Sequence, residues 1–296
     1  MSSNPKNDVN NAPGTSFDSW DLTSLENTTY HSTYHPLNDI YSFIHDLAAT
    51  YPDLVSVVSL GHSGEGREMY ALEISAGPSW NKGSHEQKWR APEGNDVEEP
   101  LGFVITGAQH AREWVATATA LYIAHALVVN KTEEYSLGHL LDRYTFYIVP
   151  VPNPDGYVHT WEHDRFWYKN RLPLGPGAVC TGLDMNRNWG YKWKPSAPSK
   201  KFKKPESPGD TCSVWYPGHR PFQAPEVNNM AIYFERLPNL KAFVDFRNYG
   251  QMLSTPYSYS CKRTPKDAED QLEAASGAIR AVKKCHGTTF TVTYHC

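Results

Sequence analysis

The chain has 296 residues, enough for one large α/β domain or two small ones. It is 40% hydrophobic and 20% charged with a formal net charge of −4, a balance that argues against a nucleic-acid binder. No apolar run approaches the ~18 residues needed to cross a bilayer, so no membrane span is expected.

Residues 1–35 are polar and rich in Asn, Ser and Thr, and read as a disordered or linker remnant. Ile40, Phe43, Ile44 and Leu47 then recur at helical spacing, and Tyr51-Pro52 closes that helix. Val55–Leu60 and Met69–Ser75 read as a strand pair around Ser63-Gly64-Glu65-Gly66. A polar insertion runs from Asn81 to Pro100. The apolar run 101–106 predicts a strand, 113–129 an amphipathic helix, and Tyr144–Val151 a buried strand. Asn153-Pro154-Asp155-Gly156 reads as a turn. From Val158 to Phe222 the chain is irregular and rich in Trp, Pro, Gly and Arg, unusually long for a passive connector. Pro225 opens a helix to about Arg236, Lys241–Phe246 is a strand, and Ala268–Lys284 a last helix. Strands alternating with helices predict an α/β fold: a mixed, mostly parallel twisted sheet with helices on both faces.

The most informative stretch is Gly107-Ala108-Gln109-His110-Ala111-Arg112-Glu113-Trp114, at a strand-to-helix corner. An imidazole and a carboxylate three residues apart can be aimed at one point, as zinc requires. Alone, H-x-x-E describes a surface histidine and a first-turn glutamate equally well. The five cysteines include no C-x-x-C pair, so a cysteine zinc site is not expected. Sequons at Asn27 and Asn130 would permit glycosylation in an oxidising compartment. Met1 to Gly14 contains no apolar signal-peptide core, so a secreted form would need a targeting segment beyond this chain.

Four segments in order carry a resemblance: His110-Ala111-Arg112-Glu113-Trp114, Pro152-Asn153-Pro154-Asp155-Gly156-Tyr157, Asp184-Met185-Asn186-Arg187-Asn188-Trp189 and Lys241-Ala242-Phe243. Together they resemble the zinc metallocarboxypeptidases of the carboxypeptidase A/B type, over about residues 36–290. The resemblance implies an eight-stranded mixed sheet and removal of one C-terminal residue from a peptide or protein. It implies zinc as cofactor, with His110 and Glu113 matching the first two ligands. Arg112 and Arg171 match residues that stabilise a carbonyl oxygen as it becomes an oxyanion. Asn186 and Arg187 match the clamp for a terminal carboxylate, which suits a planar guanidinium. Asn248 and Tyr249 are carried over as further substrate contacts. Cys180 and Cys212 occupy the positions of a family disulfide; pairing Cys261 with Cys296 would leave Cys285 free, although the sequence also allows other pairings.

Two departures stand out. The family's third ligand is a histidine after Lys-Ala-Phe, and here the aligned segment, Val244-Asp245-Phe246-Arg247-Asn248-Tyr249, places Arg247 there. Arginine offers no lone pair. Two unit charges about 4 Å apart repel by about 4 kcal/mol at an effective dielectric near 20, and a divalent ion would face about twice that. The segment expected to carry the catalytic glutamate would follow Cys296, and Glu269 and Glu273 read as a solvated helix face. The combination is most similar to the fungal inactive metallocarboxypeptidase-like proteins, including the Ser258-Tyr259-Ser260-Cys261-Lys262-Arg263 neighbourhood. It implies an incomplete metallocarboxypeptidase-like domain over 36–296, truncated at both ends relative to the family, and a secreted or vacuolar protein with a role in cell-wall biology. The leading expectation is a pseudoenzyme that still binds peptide C-termini. An active metallocarboxypeptidase and a structural cell-wall protein are the alternatives. Arg247 itself is expected to fill the metal's place and pair with Glu113.

Overall fold

A computed structural model describes residues 20–76, 100–194, 210–257, 259–260 and 262–294. Nearly all of the polar insertion, and the pairing of Cys261 with Cys296, lie outside them. Helix α1 spans Leu37–Thr50 and buries Leu37, Ile40, Phe43, Ile44 and Leu47 along one stripe. Strands β1 (Val55–His62) and β2 (Glu68–Ile74) pair antiparallel, as their apolar spacing predicts. Then come β3 (Leu101–Thr106), α2 (Trp114–Val128), β4 (Tyr144–Val149), α3 (Pro154–Glu162), α4 (Pro225–Glu235) and β5 (Leu240–Asp245). The five strands order as β1-β2-β4-β3-β5. The β2–β4 pair is antiparallel, whereas β3 runs parallel to both β4 and β5. The sheet is therefore evenly mixed.

Alternation along the strands loads both faces. Leu72, Ile74, Ile105, Phe146 and Ile148 pack with α1 and α2. Met69, Ala71 and Val149 point the other way, onto Ala224, Val227 and Met230 at the start of α4. Helices thus cover both faces. A second sheet of two parallel strands, β6 (Met252–Thr255) and β7 (Thr291–Tyr294), packs on α5 (Ala268–His286).

Three sequence readings need correction. Asn153–Gly156 is not a turn but the start of α3: the Asn153 side chain accepts from the Gly156 amide at 3.0 Å, and Pro154 fills the first turn. Helix α2 is buried on most sides rather than one, because the sheet takes one side and the chain before α1 takes another. Residues 20–35 are accordingly no linker. Leu22 and Tyr30 are buried, and the Tyr30 ring is stacked between His35 and Phe43 at 4.1 and 3.9 Å.

This N-terminal strap is tied to α2 through imidazoles. His125 Nε2 lies 2.9 Å from the Leu22 carbonyl oxygen, and His125 Nδ1 lies 3.0 Å from His31 Nε2. Burial pushes the His31 imidazole down to about 4, helped by His125 and His35. Burial also lowers His125, although the Leu22 carbonyl, Glu133 and Asp21 oppose it. The unfolded chain therefore binds more protons below the ordinary histidine value of about 6.5. Stability from this pair is complete above that pH and declines as pH falls towards 4. Denaturant midpoints measured from pH 7.5 to 4.5 are expected to drop less steeply in His31→Gln than in the wild-type chain.

Candidate functional site

The parallel register sets Thr106, the last residue of β3, beside Asp245, the last of β5. Both strands deliver their loops to one crevice at the sheet's carboxyl edge, where α/β proteins collect functional groups. Gly107 makes the first turn possible, since a Cβ there would lie 2.1 Å from the Pro150 carbonyl oxygen. The chain then carries His110 and Glu113 inward; they are only 3% and 5% exposed.

His110 Nδ1 lies 3.0 Å from Glu113 Oε1, and His110 Nε2 lies 2.9 Å from Asp184 Oδ1. From the β5 side, Arg247 Nε donates to Glu113 Oε2 at 2.8 Å and Nη1 to Asp245 Oδ2 at 3.1 Å. Its Nη2 rests against the His110 ring, in contact with Nδ1 and 3.1 Å from Nε2. Burial pushes the Glu113 carboxyl up, but His110 and Arg247 outweigh it and the group titrates below its ordinary range. Asp245 and Glu113 likewise overcome the burial of Arg247 and hold its guanidinium charged.

These residues do not fit zinc. A ligand imidazole must present one lone pair to the metal, yet both His110 nitrogens face carboxylate oxygens and a guanidinium. Among the described residues, no group of three or more His, Cys, Asp or Glu is arranged to hold a metal ion.

The other expected contacts divide. Arg112 lies over the Tyr168 ring at 4.8 Å, and Tyr168 sits 3.6 Å from the His110 ring. Tyr168 also meets Trp215, over which Arg187 lies at 5.4 Å. Arg112 and Arg187 therefore flank one aromatic wall that ends at His110, with Asn186 exposed beside Arg187. Arg171 is turned to Glu65, 3.5 Å away, and packs over Trp167. Asn248 is partly buried, whereas Tyr249 is 93% exposed and stands off the cluster. Glu269 and Glu273 are exposed on α5, and both sequon asparagines, Asn27 and Asn130, are exposed. Cys180 and Cys212 are bonded, while Cys285 is exposed and free.

Two residues escaped the sequence reading. Asp245 stands two positions before Arg247, a spacing that places both on one side of an extended chain, and it anchors the guanidinium. Its Oδ1 accepts from Thr106 Oγ1 at 2.7 Å and its Oδ2 from Gln109 Nε2 at 2.8 Å. Asp184 caps the 3-10 turn Met185–Arg187 by accepting from the Asn186 amide, and its Oδ1 also faces His110.

Arg247 is 26% exposed along its side chain, so the cluster is only partly shielded from water. Arg247→Ala leaves Glu113 and Asp245 unpaired, and we expect a loss of about 2–4 kcal/mol, read as a lower denaturant midpoint at constant slope. Arg247→His instead sets a neutral imidazole as a third donor beside His110 and the Glu113 carboxylate. Zinc content by metal analysis should rise from substoichiometric towards one per chain.

Comparison with known proteins gives one family. Residues 40–296 match the family described as zinc carboxypeptidase. The inactive metallocarboxypeptidase ECM14 of Ajellomyces dermatitidis is 32% identical over 282 residues, which is 93% of this chain and 43% of that protein. Its counterpart in Paracoccidioides brasiliensis is 30% identical over 292 residues, 94% of this chain and 45% of that protein. The chain thus spans less than half the length of these relatives. Among solved structures, thrombin activatable fibrinolysis inhibitor superposes with a TM-score of 0.73 at 31% identity, covering 92% of this chain and 61% of its own. Carboxypeptidase A from Helicoverpa armigera gives 0.71 at 26% identity, covering 91% and 59%. The chain belongs to the zinc carboxypeptidase family.

Proposed function

We propose that this member of the family is a pseudoenzyme, a carboxypeptidase-shaped cleft that binds peptide C-termini without cleaving them. The observation that carries the reading is the Arg247–Glu113 pair at 2.8 Å, which places a permanent cation against the two residues that would begin a metal site. A guanidinium cannot activate water by coordination, and neither His110 nor Glu113 is left free to do so. The fungal relatives, named as inactive metallocarboxypeptidases, support the same reading.

Recognition rests on the cationic rim. Asn186 and Arg187 would take the terminal carboxylate, the guanidinium offering paired N–H donors to two oxygens. Arg112 and Asn248 would border the penultimate residue, whereas Arg171, turned to Glu65, and Tyr249, off the cluster, would have to swing inward to do so. Stacking over Tyr168, Trp167 and Trp215 supports the arginines with little lost freedom on binding. A secreted or vacuolar setting, with a role in cell-wall biology, belongs to the same proposal. The Cys180–Cys212 disulfide supports an oxidising compartment, and Asn27 and Asn130 would be its glycosylation sites. No helix among the described residues is long and apolar enough to cross a membrane.

The test is isothermal titration of a peptide with a free C-terminus against its amidated twin. Loss of a charge-assisted pair predicts at least ~tenfold weaker binding of the amide, with Arg187→Ala giving a similar loss for the free acid. Equal affinities would remove the binding role and leave a structural protein. Release of C-terminal amino acids by metal-loaded protein would instead establish an active carboxypeptidase.

A further inference from the structure

The resemblance sets Arg171 beside a substrate's carbonyl, but its guanidinium is turned to Glu65 at 3.5 Å and packs over Trp167. The place against the crevice's centre belongs instead to Tyr168. Its ring lies 3.6 Å from the His110 ring, with the Arg112 guanidinium over it at 4.8 Å. Trp215 meets it at 71°, 5.8 Å away. The backbone that carries it is pinned on both sides. The Tyr168 carbonyl accepts from the Ala111 amide at 3.1 Å, tying it to the loop after β3. Lys169, the next residue, is buried; its carbonyl accepts from the Asn153 side chain at 3.2 Å, and its Nζ donates to the Thr211 carbonyl at 2.7 Å. A ring so packed on so fixed a backbone has little freedom left to lose on binding.

The hydroxyl is what this side chain leaves free. Tyr168 is partly exposed, and its hydroxyl makes no hydrogen bond among the described residues. The charged groups that act on it are Asp184, Arg247, Glu113 and Arg187. The first three belong to the closed centre and the fourth to the carboxylate clamp, so the phenol sits in the field of both. Arg187 lies over Trp215, the next ring along the wall. An extended chain advances about 3.5 Å per residue, so a terminal carboxylate held at Arg187 brings the last peptide group alongside Tyr168. The carbonyl of that group is an acceptor, and it needs a donor in place of the water it gives up.

We infer that the Tyr168 hydroxyl donates to the carbonyl of the last peptide bond in a bound C-terminus, a contact that rests on the reading of the crevice as a binder of such ends. Tyr168 is then a positioning residue: it fixes the peptide group next to the clamp. The same contact accounts for holding without cleaving. A phenol supplies one neutral hydrogen bond, of the kind a ground-state carbonyl already accepts, and no positive charge to favour an oxyanion.

Calorimetry on the whole chain with three probes is the test: N-acetyl-Ala-Ala-Phe as the free acid, its C-terminal amide, and an acid in which an uncharged E-alkene replaces the last peptide group. Tyr168→Phe keeps the ring and its packing and deletes only an unpartnered hydroxyl, so the fold should be retained. It should weaken the free acid about fivefold, the scale of one neutral hydrogen bond, and leave the alkene within about twofold. A merely structural role for Tyr168 would weaken both acids alike. If the free acid binds more tightly than its amide but Tyr168→Phe leaves it unchanged, or weakens the alkene equally, this contact is wrong and the recognition of C-termini stands. If the wild-type chain binds acid and amide equally, or neither, the recognition of C-termini fails and takes the contact with it.

Discussion

The contact on which the crevice depends is the guanidinium of Arg247 spanning Glu113 and Asp245. It joins the loop after β3 to the end of β5, two segments more than a hundred residues apart in sequence but adjacent in the sheet. Glu113 is nearly fully buried, and a carboxylate so placed requires a cation or a proton. Arg247 supplies the cation and bridges Glu113 to a second carboxylate, Asp245. Thr106 and Gln109 hold Asp245, and Trp189 Nε1 donates to Gln109 Oε1 at 3.0 Å. A buried ion pair contributes little net stability over an apolar filling. Its consequence is geometric: it fixes which side chains face the centre and closes that centre to coordination chemistry.

This arrangement separates two tasks that an active carboxypeptidase combines. Holding a substrate's end needs fixed cations near an accessible surface, and Arg112 and Arg187 lie over aromatic rings along one wall. Chemistry needs an open metal position or a free base, and the same wall ends at an imidazole whose nitrogens are already engaged. Arg171, drawn towards Glu65, leaves one of the positions assigned to oxyanion stabilisation directed elsewhere. Recognition chemistry and catalytic chemistry can thus be lost independently, because they reside on different side chains.

Much of the architecture was legible in the chain. α1 follows its apolar spacing and α4 its opening proline, while β1 to β4 follow apolar runs that bury at least one face of the sheet. The pairing of Arg247 with Glu113 was legible too, from one cation aligned with a ligand position. Asp245 was not singled out, since a strand-end aspartate acquires meaning only once its register neighbour Thr106 is known. The strap was missed because three apolar side chains, Trp20, Leu22 and Tyr30, sit diluted in a polar stretch, and composition averages over them. β6 and β7 are four residues each and pair across the whole of α5, a long-range contact that no local period announces. The start of α3 carried its signal in Asn153-Pro154, which reads equally well as turn or cap.

The strap bears on where this protein can be cut. Residues 20–35 roof α2 and lie against α1 through Tyr30 and Phe43, so they form part of the core despite their sequence character. A cut between Leu22 and His35 would strip the cover from an apolar helix and leave a sticky product prone to self-association. Natural processing sites should therefore fall outside Leu22–His35.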